Sequence, residues 1–175
     1  MPFTAGDRPS TTGDVNPNLK QVVGHLRRAN AIAQQAIQSG NHPFGAILVA
    51  PDHQTVLLEQ GNIDTVNHAE ATLARTAHQR FTPDYLWDCT LYTTVEPCVM
   101  CAGTQYWANI GRLVYGVAET QLLALTGNHG ANPTLNIPCR YVFDRGQKPI
   151  QVWGPIPEVE AEIIQLQQGF WQPSS

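Results

Sequence analysis

Apolar positions along this chain follow two rhythms in turn. Leu19, Val22, Val23, Leu26, Ala29, Ala33 and Ile37 recur at steps of three and four, the period of one face of a helix. Asn16-Pro17 reads as a cap with a first-turn proline before this run, and Gly40 as the stop after it. Gly45 to Ala50 is almost continuously apolar, as in a strand covered on both faces. Pro51-Asp52-His53-Gln54 is a turn, and Thr55 to Glu59 is the returning strand. After a loop over 61–67, Ala69, Leu73, Ala74 and Ala77 mark a second helix. The pattern then predicts a strand over Cys89 to Thr94 and a helix from Pro97 to Asn109. A strand over Arg112 to Gly116, a helix over Ala118 to Leu125 and a last strand over Gln147 to Trp153 follow. Val159, Ile163, Leu166 and Phe170 place a closing helix over Pro157 to Trp171.

Helices alternating with strands predict an α/β layered domain. With 175 residues, the chain can bury one sizeable core. Residues 1–16 are polar and rich in Gly, Pro, Ser and Thr, so they are expected to form a loose arm ahead of a single domain over 17–175. The segment Thr126 to Pro138 is long for a connector in a compact domain, which is more usual of functional or disordered loops.

The net charge of -4 weighs against a grip on long nucleic acid, which calls for a basic surface. No apolar run reaches the roughly 18 residues of a membrane span. The first ten residues also lack the apolar core of a signal peptide. The expectation is a cytoplasmic protein with reduced thiols. Of the four cysteines, Cys89 and Cys139 then read as small core residues. The close pair Cys98 and Cys101 reads as a metal or catalytic site rather than a disulfide.

That pair has partners. His68-Ala69-Glu70 lies upstream, and Pro97-Cys98-Val99-Met100-Cys101 supplies both thiols. One imidazole and two thiolates suit tetrahedral zinc and leave a fourth position for water. Helix N-termini favour thiolate over thiol. Positions i and i+3 share a helix face, so both sulfurs can reach one ion. Glu70, two residues after the histidine, is placed to move protons for that water. The pattern H-x-E…P-C-x-x-C is a general signature of zinc-dependent base deaminases. Two plainer readings compete with this one. Glu70 alone could be a surface carboxylate in a first helical turn. The cysteines could instead belong to a closed structural zinc, but His25, His42, His53, His78 and His129 fall at no ligand spacing near them.

Three ordered blocks carry a family resemblance: Pro43-Phe44-Gly45-Ala46-Ile47-Leu48-Val49, Asn67-His68-Ala69-Glu70-Ala71, and Leu91 through Gly103 with Glu96-Pro97-Cys98-Val99-Met100-Cys101 at its centre. They are similar to the cytidine and nucleobase deaminase superfamily, nearest the branch of guanine deaminases and tRNA adenosine deaminases. The resemblance implies a three-layer α-β-α fold with a central five-stranded mixed sheet, usually in a homodimer. It implies one zinc per chain on His68, Cys98 and Cys101, with Glu70 catalytic. It suggests Asn62 as a holder of the base, Phe44 and Trp107 as aromatic walls, and the backbone N–H groups of Ala69 and Glu70 as donors to a ring carbonyl. Asn128 or His129 stands where the guanine enzymes carry an acid, and the stretch from Asn62 to His68 is shorter than theirs. The expected reaction is hydrolytic deamination of an exocyclic amine on a small nucleobase or nucleoside. A purine-like base such as guanine, or a related aminopurine or triazine, comes first because of Phe44 and Trp107. Cytosine or cytidine comes second. A tRNA adenosine comes third, opposed by the acidic charge and by Phe44. The rival of another class is a noncatalytic module stabilised by zinc.

Overall fold

The computed structural model describes residues 16–127 and 129–172. The expected arm over 1–16 therefore lies, but for Asn16, outside the described residues. Helix α1 (Leu19–Gln38) starts two residues later than the Asn16-Pro17 reading. Its cap is Asn18, whose Oδ1 accepts from the Gln21 N–H at 2.9 Å, while Gln21 Oε1 accepts from the Asn18 N–H at 2.9 Å. This reciprocal pair satisfies two donors at once, which a proline start cannot. The far end stops as expected. Gly40 takes φ +81°, and the N–H groups of Gly40 and Asn41 reach back to Ile37 and Ala36, both at 2.9 Å. This is the left-handed closure that glycine favours.

Strands β1 (Gly45–Val49), β2 (Val56–Gly61), β3 (Thr90–Val95), β4 (Arg112–Val117) and β5 (Gln151–Trp153) form one sheet in the order β2-β1-β3-β4-β5. β1 runs antiparallel to β2 and β3, whereas β3, β4 and β5 are parallel. The five-stranded mixed sheet implied by the resemblance is present. The last strand is shorter than the Gln147 to Trp153 expectation.

Helices α2 (Ala69–Arg80), α4 (Val99–Ala108) and α6 (Cys139–Phe143) cover one face, with α3 (Pro83–Trp87) beside α2. Helices α1, α5 (Glu119–Thr126) and α7 (Pro157–Trp171) cover the other. The continuous apolar run of β1 divides between the two layers. Ala46 and Leu48 enter the core under α2, and Ile47 and Val49 enter the core under α1. Cys89 and Cys139 are fully buried in the first of these cores. Helices α3 and α6 are absent from the hydrophobic pattern because five residues are too few to display a period. Thr82 caps α3 ahead of Pro83, so a cap signal was present without a rhythm to support it. No described helix is long and apolar enough to cross a membrane.

One contact fixes how α1 lies on the sheet. A Cβ at Gly45 would stand 2.2 Å from the Ala29 carbonyl oxygen and 2.6 Å from the Ala33 nitrogen. The helix backbone touches the first residue of β1 directly, and Ala29 and Ala33 are themselves fully buried. Because β1 is antiparallel to β3, its start lies at the edge where β3 and β4 end. The helices α2 and α4 begin at that same edge. We predict that Gly45→Ala, which must push α1 away from β1, lowers stability by about 1–3 kcal/mol, the scale of core overpacking. Chemical denaturation of the zinc-loaded protein measures it; an unchanged midpoint would contradict the contact.

Candidate active site

His68 is the N-cap of α2, and Cys98 is the N-cap of α4. Glu70 and Cys101 lie in the first turns that follow. Free N–H groups at both helix starts therefore point toward the same small volume. Cys98 Sγ lies 3.6 Å from His68 Nδ1, Cys101 Sγ lies 3.5 Å from the same nitrogen, and the two sulfurs are 3.6 Å apart. Tetrahedral zinc with bonds of about 2.3 Å to sulfur and about 2.0 Å to nitrogen needs S···S of about 3.8 Å and S···N of about 3.5 Å. The three ligand atoms fit that ion, and the geometry selects Nδ1 of the imidazole. They form the one metal-competent cluster of His, Cys, Asp and Glu among the described residues.

The electrostatics agree. The Cys98 thiol is held down at about 4, first by the hydrogen bond from Cys101 and then by His68 against the cost of burial. Cys101 is driven up by that same bond and by burial. The pair thus keeps one proton, with the thiolate on Cys98. Three carboxyl groups are buried in this part of the chain, Glu70, Glu96 and Glu119, and the first and last of them feel the Cys98 charge. Burial raises Glu70, with a smaller upward push from the Cys98 charge. Glu119 is pushed up to about 9 by burial, then by Cys98, Glu70 and Glu96. Acidic groups that burial and one another's charge push towards their neutral forms mark a site where a bound cation would be stabilised.

Glu70 is 5% exposed, so the surface-carboxylate reading does not hold. Its Oε1 accepts a 2.6 Å hydrogen bond from the Thr93 hydroxyl on β3, and its Oε2 faces Cys101 Sγ at 3.6 Å. The same hydroxyl lies 3.5 Å from the Gly45 carbonyl. Thr93 can donate to a carboxylate, or accept from the acid while turning its own proton to Gly45. Glu70 thus keeps a partner in either protonation state.

The remaining expected residues divide. Asn62 is 3% exposed, takes the Phe44 carbonyl with its backbone N–H at 3.0 Å, and donates its amide to the Asp64 carbonyl at 3.2 Å. Its Oδ1 is buried with no hydrogen-bond partner. Phe44 is half-buried beside it, 6.3 Å from the Trp171 ring. Ala69 is the first residue of α2, where its N–H has no intrahelical acceptor. His129 is exposed but rests its ring 5.1 Å from Trp171. Asn128 lies outside the described residues. Trp107 does not join the group within one chain. It is 78% exposed at the far end of α4, edge-on to Tyr106 and under the Lys148 ammonium. Nine residues of helix carry it about 13 Å along the axis from Cys98.

Three contributors escaped the motif reading. Thr93 sits in an ordinary strand. His42 ring-packs on Trp171 at 4.9 Å and is lowered by burial, then by His68 and His129. Glu96 accepts the backbone N–H of Glu119 at 3.1 Å and of Cys139 at 2.8 Å, so one carboxylate holds the starts of α5 and α6. A glutamate between an apolar strand and Pro97 was the available signal, since such a buried position needs donors.

We predict that the purified protein holds one zinc per chain and that Cys98→Ala or Cys101→Ala loses it, by elemental analysis. After zinc is stripped, iodoacetamide at pH 6 should alkylate Cys98 first, because the hydrogen bonds from Cys101 and His68 hold its thiol well below the ordinary thiol range. Cys89, pushed up to about 12 by burial, and Cys139, raised likewise, should stay unmodified. Peptide mass spectrometry showing equal labelling of all four would contradict the assignment.

Comparison with known proteins agrees with this geometry. Residues 20–117 match the family described as the cytidine and deoxycytidylate deaminase zinc-binding region. The chain is 37% identical over 153 residues to a probable cytosine deaminase of Schizosaccharomyces pombe, covering 85% of this chain and 91% of that one. It is 38% identical over 100 residues to the guanine deaminase of Bacillus subtilis, covering 54% of this chain and 64% of the relative. In three dimensions it superposes on a guanine deaminase from Nitrosomonas europaea with a TM-score of 0.65 at 18% identity, over 88% of this chain and 85% of that one. The matched segment contains His68, Glu70, Cys98 and Cys101 together, and the chain belongs to the cytidine and deoxycytidylate deaminase family of zinc-binding enzymes.

Proposed function

We propose that the protein deaminates a free nucleobase, with an aminopyrimidine of the cytosine type as its substrate. The observation that carries a base-sized substrate is the buried, unpaired Oδ1 of Asn62. An unsatisfied buried acceptor is costly, and a ring N–H of a planar base supplies its missing donor. The choice of cytosine over a purine rests on two further points. The likeness to a probable cytosine deaminase runs over nearly the whole length of both chains, whereas that to a guanine deaminase covers about half of this one. Trp107, which favoured a purine, stands away from the metal ligands, and no carboxylate occurs over 126–138 to pair with guanine's amino group.

The chemistry follows from the residues. His68, Cys98 and Cys101 would hold zinc, which would supply Lewis-acid activation of water. Glu70 is placed to take a proton from the attacking water and to deliver protons to the ring nitrogen and to the departing amine. One water is consumed, the exocyclic C–N bond breaks, a carbonyl forms on the ring, and ammonia leaves. Thr93 holds the Glu70 carboxyl through the whole cycle. The N–H groups of Ala69 and Glu70 are available to the ring carbonyl, and Phe44 lies beside Asn62 to cover the ring face. Two reduced thiolates suit a reducing compartment such as the cytoplasm. The exposed Trp107 surface of α4 is where a second copy would pack in a homodimer.

Glu70→Gln should retain zinc and lose about a hundredfold or more in turnover, the scale of a lost acid–base group. Thr93→Val should retain zinc and lose roughly tenfold in kcat with KM little changed, since the carboxyl loses its holder. The deciding measurement is ammonia release across cytosine, guanine, adenine, their ribosides and an RNA anticodon stem-loop. Turnover of guanine but not cytosine would shift the reading to a purine. Turnover of the stem-loop alone would overturn the free-base reading. The homodimer is checked by analytical ultracentrifugation: Trp107→Glu should sediment as a monomer where the parent chain does not.

A further inference from the structure

The loop between β2 and α2 carries two site residues, Asn62 at its start and His68 at its end. Packing does not shape it. Ile63 is 49% and Val66 61% exposed, so its apolar side chains turn to solvent. A segment with so little burial keeps its form through hydrogen bonds, and Asp64 makes most of them. Its Oδ1 accepts the backbone N–H of Val66 at 2.8 Å and of Asn67 at 2.7 Å, and its Oδ2 accepts from the Asn67 side-chain amide at 2.9 Å. These donors, the Asn67 side chain foremost, hold the Asp64 carboxyl down at about 2. Asn67 is held in turn from α2, where the Arg75 guanidinium donates to its Oδ1 at 3.2 Å. Its own carbonyl accepts the Ile63 N–H at 3.1 Å and closes the loop on itself.

Each end of this arrangement meets the site. Asn67 is joined directly to His68. The His68 ring hydrogen-bonds the Thr65 backbone inside the same turn, and such a partner fixes the orientation of a metal-bound imidazole. At the other end the Asp64 carbonyl accepts from the Asn62 Nδ2 at 3.2 Å. That bond decides the polarity of the Asn62 side chain. With Nδ2 committed to Asp64, the buried Oδ1 is left without a partner among the described residues, and it accepts rather than donates. A turn that loosens carries the Asp64 carbonyl with it, and the Asn62 amide is then free to turn over.

We propose that Asp64 is a positioning residue serving both halves of the site. Its carboxylate orders the turn ahead of His68, and its carbonyl fixes Asn62 as an acceptor, so metal retention and recognition of a donor edge on the substrate depend on one residue. The substrate half rests on the deaminase reading. The His68 half rests only on the hydrogen bonds of the turn.

The test uses zinc-loaded protein and a swap of polarity. Asp64→Asn keeps an oxygen for the Val66 and Asn67 N–H groups but sets one NH2 group against another at the Asn67 side chain. Adding Asn67→Asp restores that hydrogen bond with donor and acceptor exchanged, and leaves an oxygen for Arg75. Three readouts are taken: hydrogen exchange over residues 62–68 by mass spectrometry, zinc transfer to 4-(2-pyridylazo)resorcinol, and kcat and KM for cytosine. Asp64→Asn should speed exchange and zinc transfer about tenfold each, the scale of a lost partner behind a metal ligand. It should raise KM for cytosine about tenfold while kcat stays within about threefold, because Glu70 and Thr93 lie outside the turn. The double substitution should bring all three readouts back to within about twofold of the parent. If Asp64→Asn does not fold, Asn67→Ala, which removes the same side-chain bond, takes its place. Unchanged exchange would overturn the inference, as would faster exchange with zinc transfer and KM unmoved. So would a double substitution that restores nothing, or a loss of kcat at constant KM, which marks general damage. If the parent chain deaminates no free base, the substrate reading fails, and exchange and zinc transfer decide whether Asp64 positions His68.

Discussion

The site depends on two helix N-termini converging at one edge of the sheet. Helices α2 and α4 both start where β3 ends and β1 begins, and each places its ligand at the cap. A thiolate or a neutral imidazole at that position is stabilised by the free N–H groups of the first turn. The mixed sheet makes the convergence possible. β1 is reversed relative to β3, so its first residue and its loop come to the same edge, bringing Phe44 and His42 with them. Gly45 permits this by letting the α1 backbone lie against the strand.

Close to the ligands in the fold the protein buries acidic groups. Glu70, Glu96 and Glu119 are all buried. Their roles differ by their partners. Glu96 has two backbone N–H donors and serves the scaffold. Glu70 has one hydroxyl partner and one oxygen turned to Cys101, which leaves it free to exchange protons. The contrast arises from hydrogen bonding rather than from residue type.

Much of this could be read from the chain before the fold was known. The ligand set was legible because metal coordination demands particular atoms at particular spacings, and cap positions enforce them locally. The strands were legible because burial on both faces leaves unbroken apolar runs. The boundary of α1 was misread because Pro17 and Asn18 are both good start signals, and only the reciprocal bonds with Gln21 decide between them. Trp107 was misplaced because spacing along a helix does not say which end of it faces the metal. His42 and Thr93 were illegible for a different reason. Each acts through a partner distant in sequence, 23 residues away in the case of Thr93 and Glu70, and no local pattern encodes such a meeting.

The double acceptor at Glu96 has a consequence for how this architecture can change. It fixes the first residue of α5 and the first residue of α6 to the turn that carries Cys98. The stretch between those two points is anchored at both ends and is not needed to hold either. Residues can be added, removed or exchanged across 127–138 while the metal ligands keep their positions. New substrate preferences could therefore arise there by insertion or deletion, with the hydrolytic chemistry inherited intact.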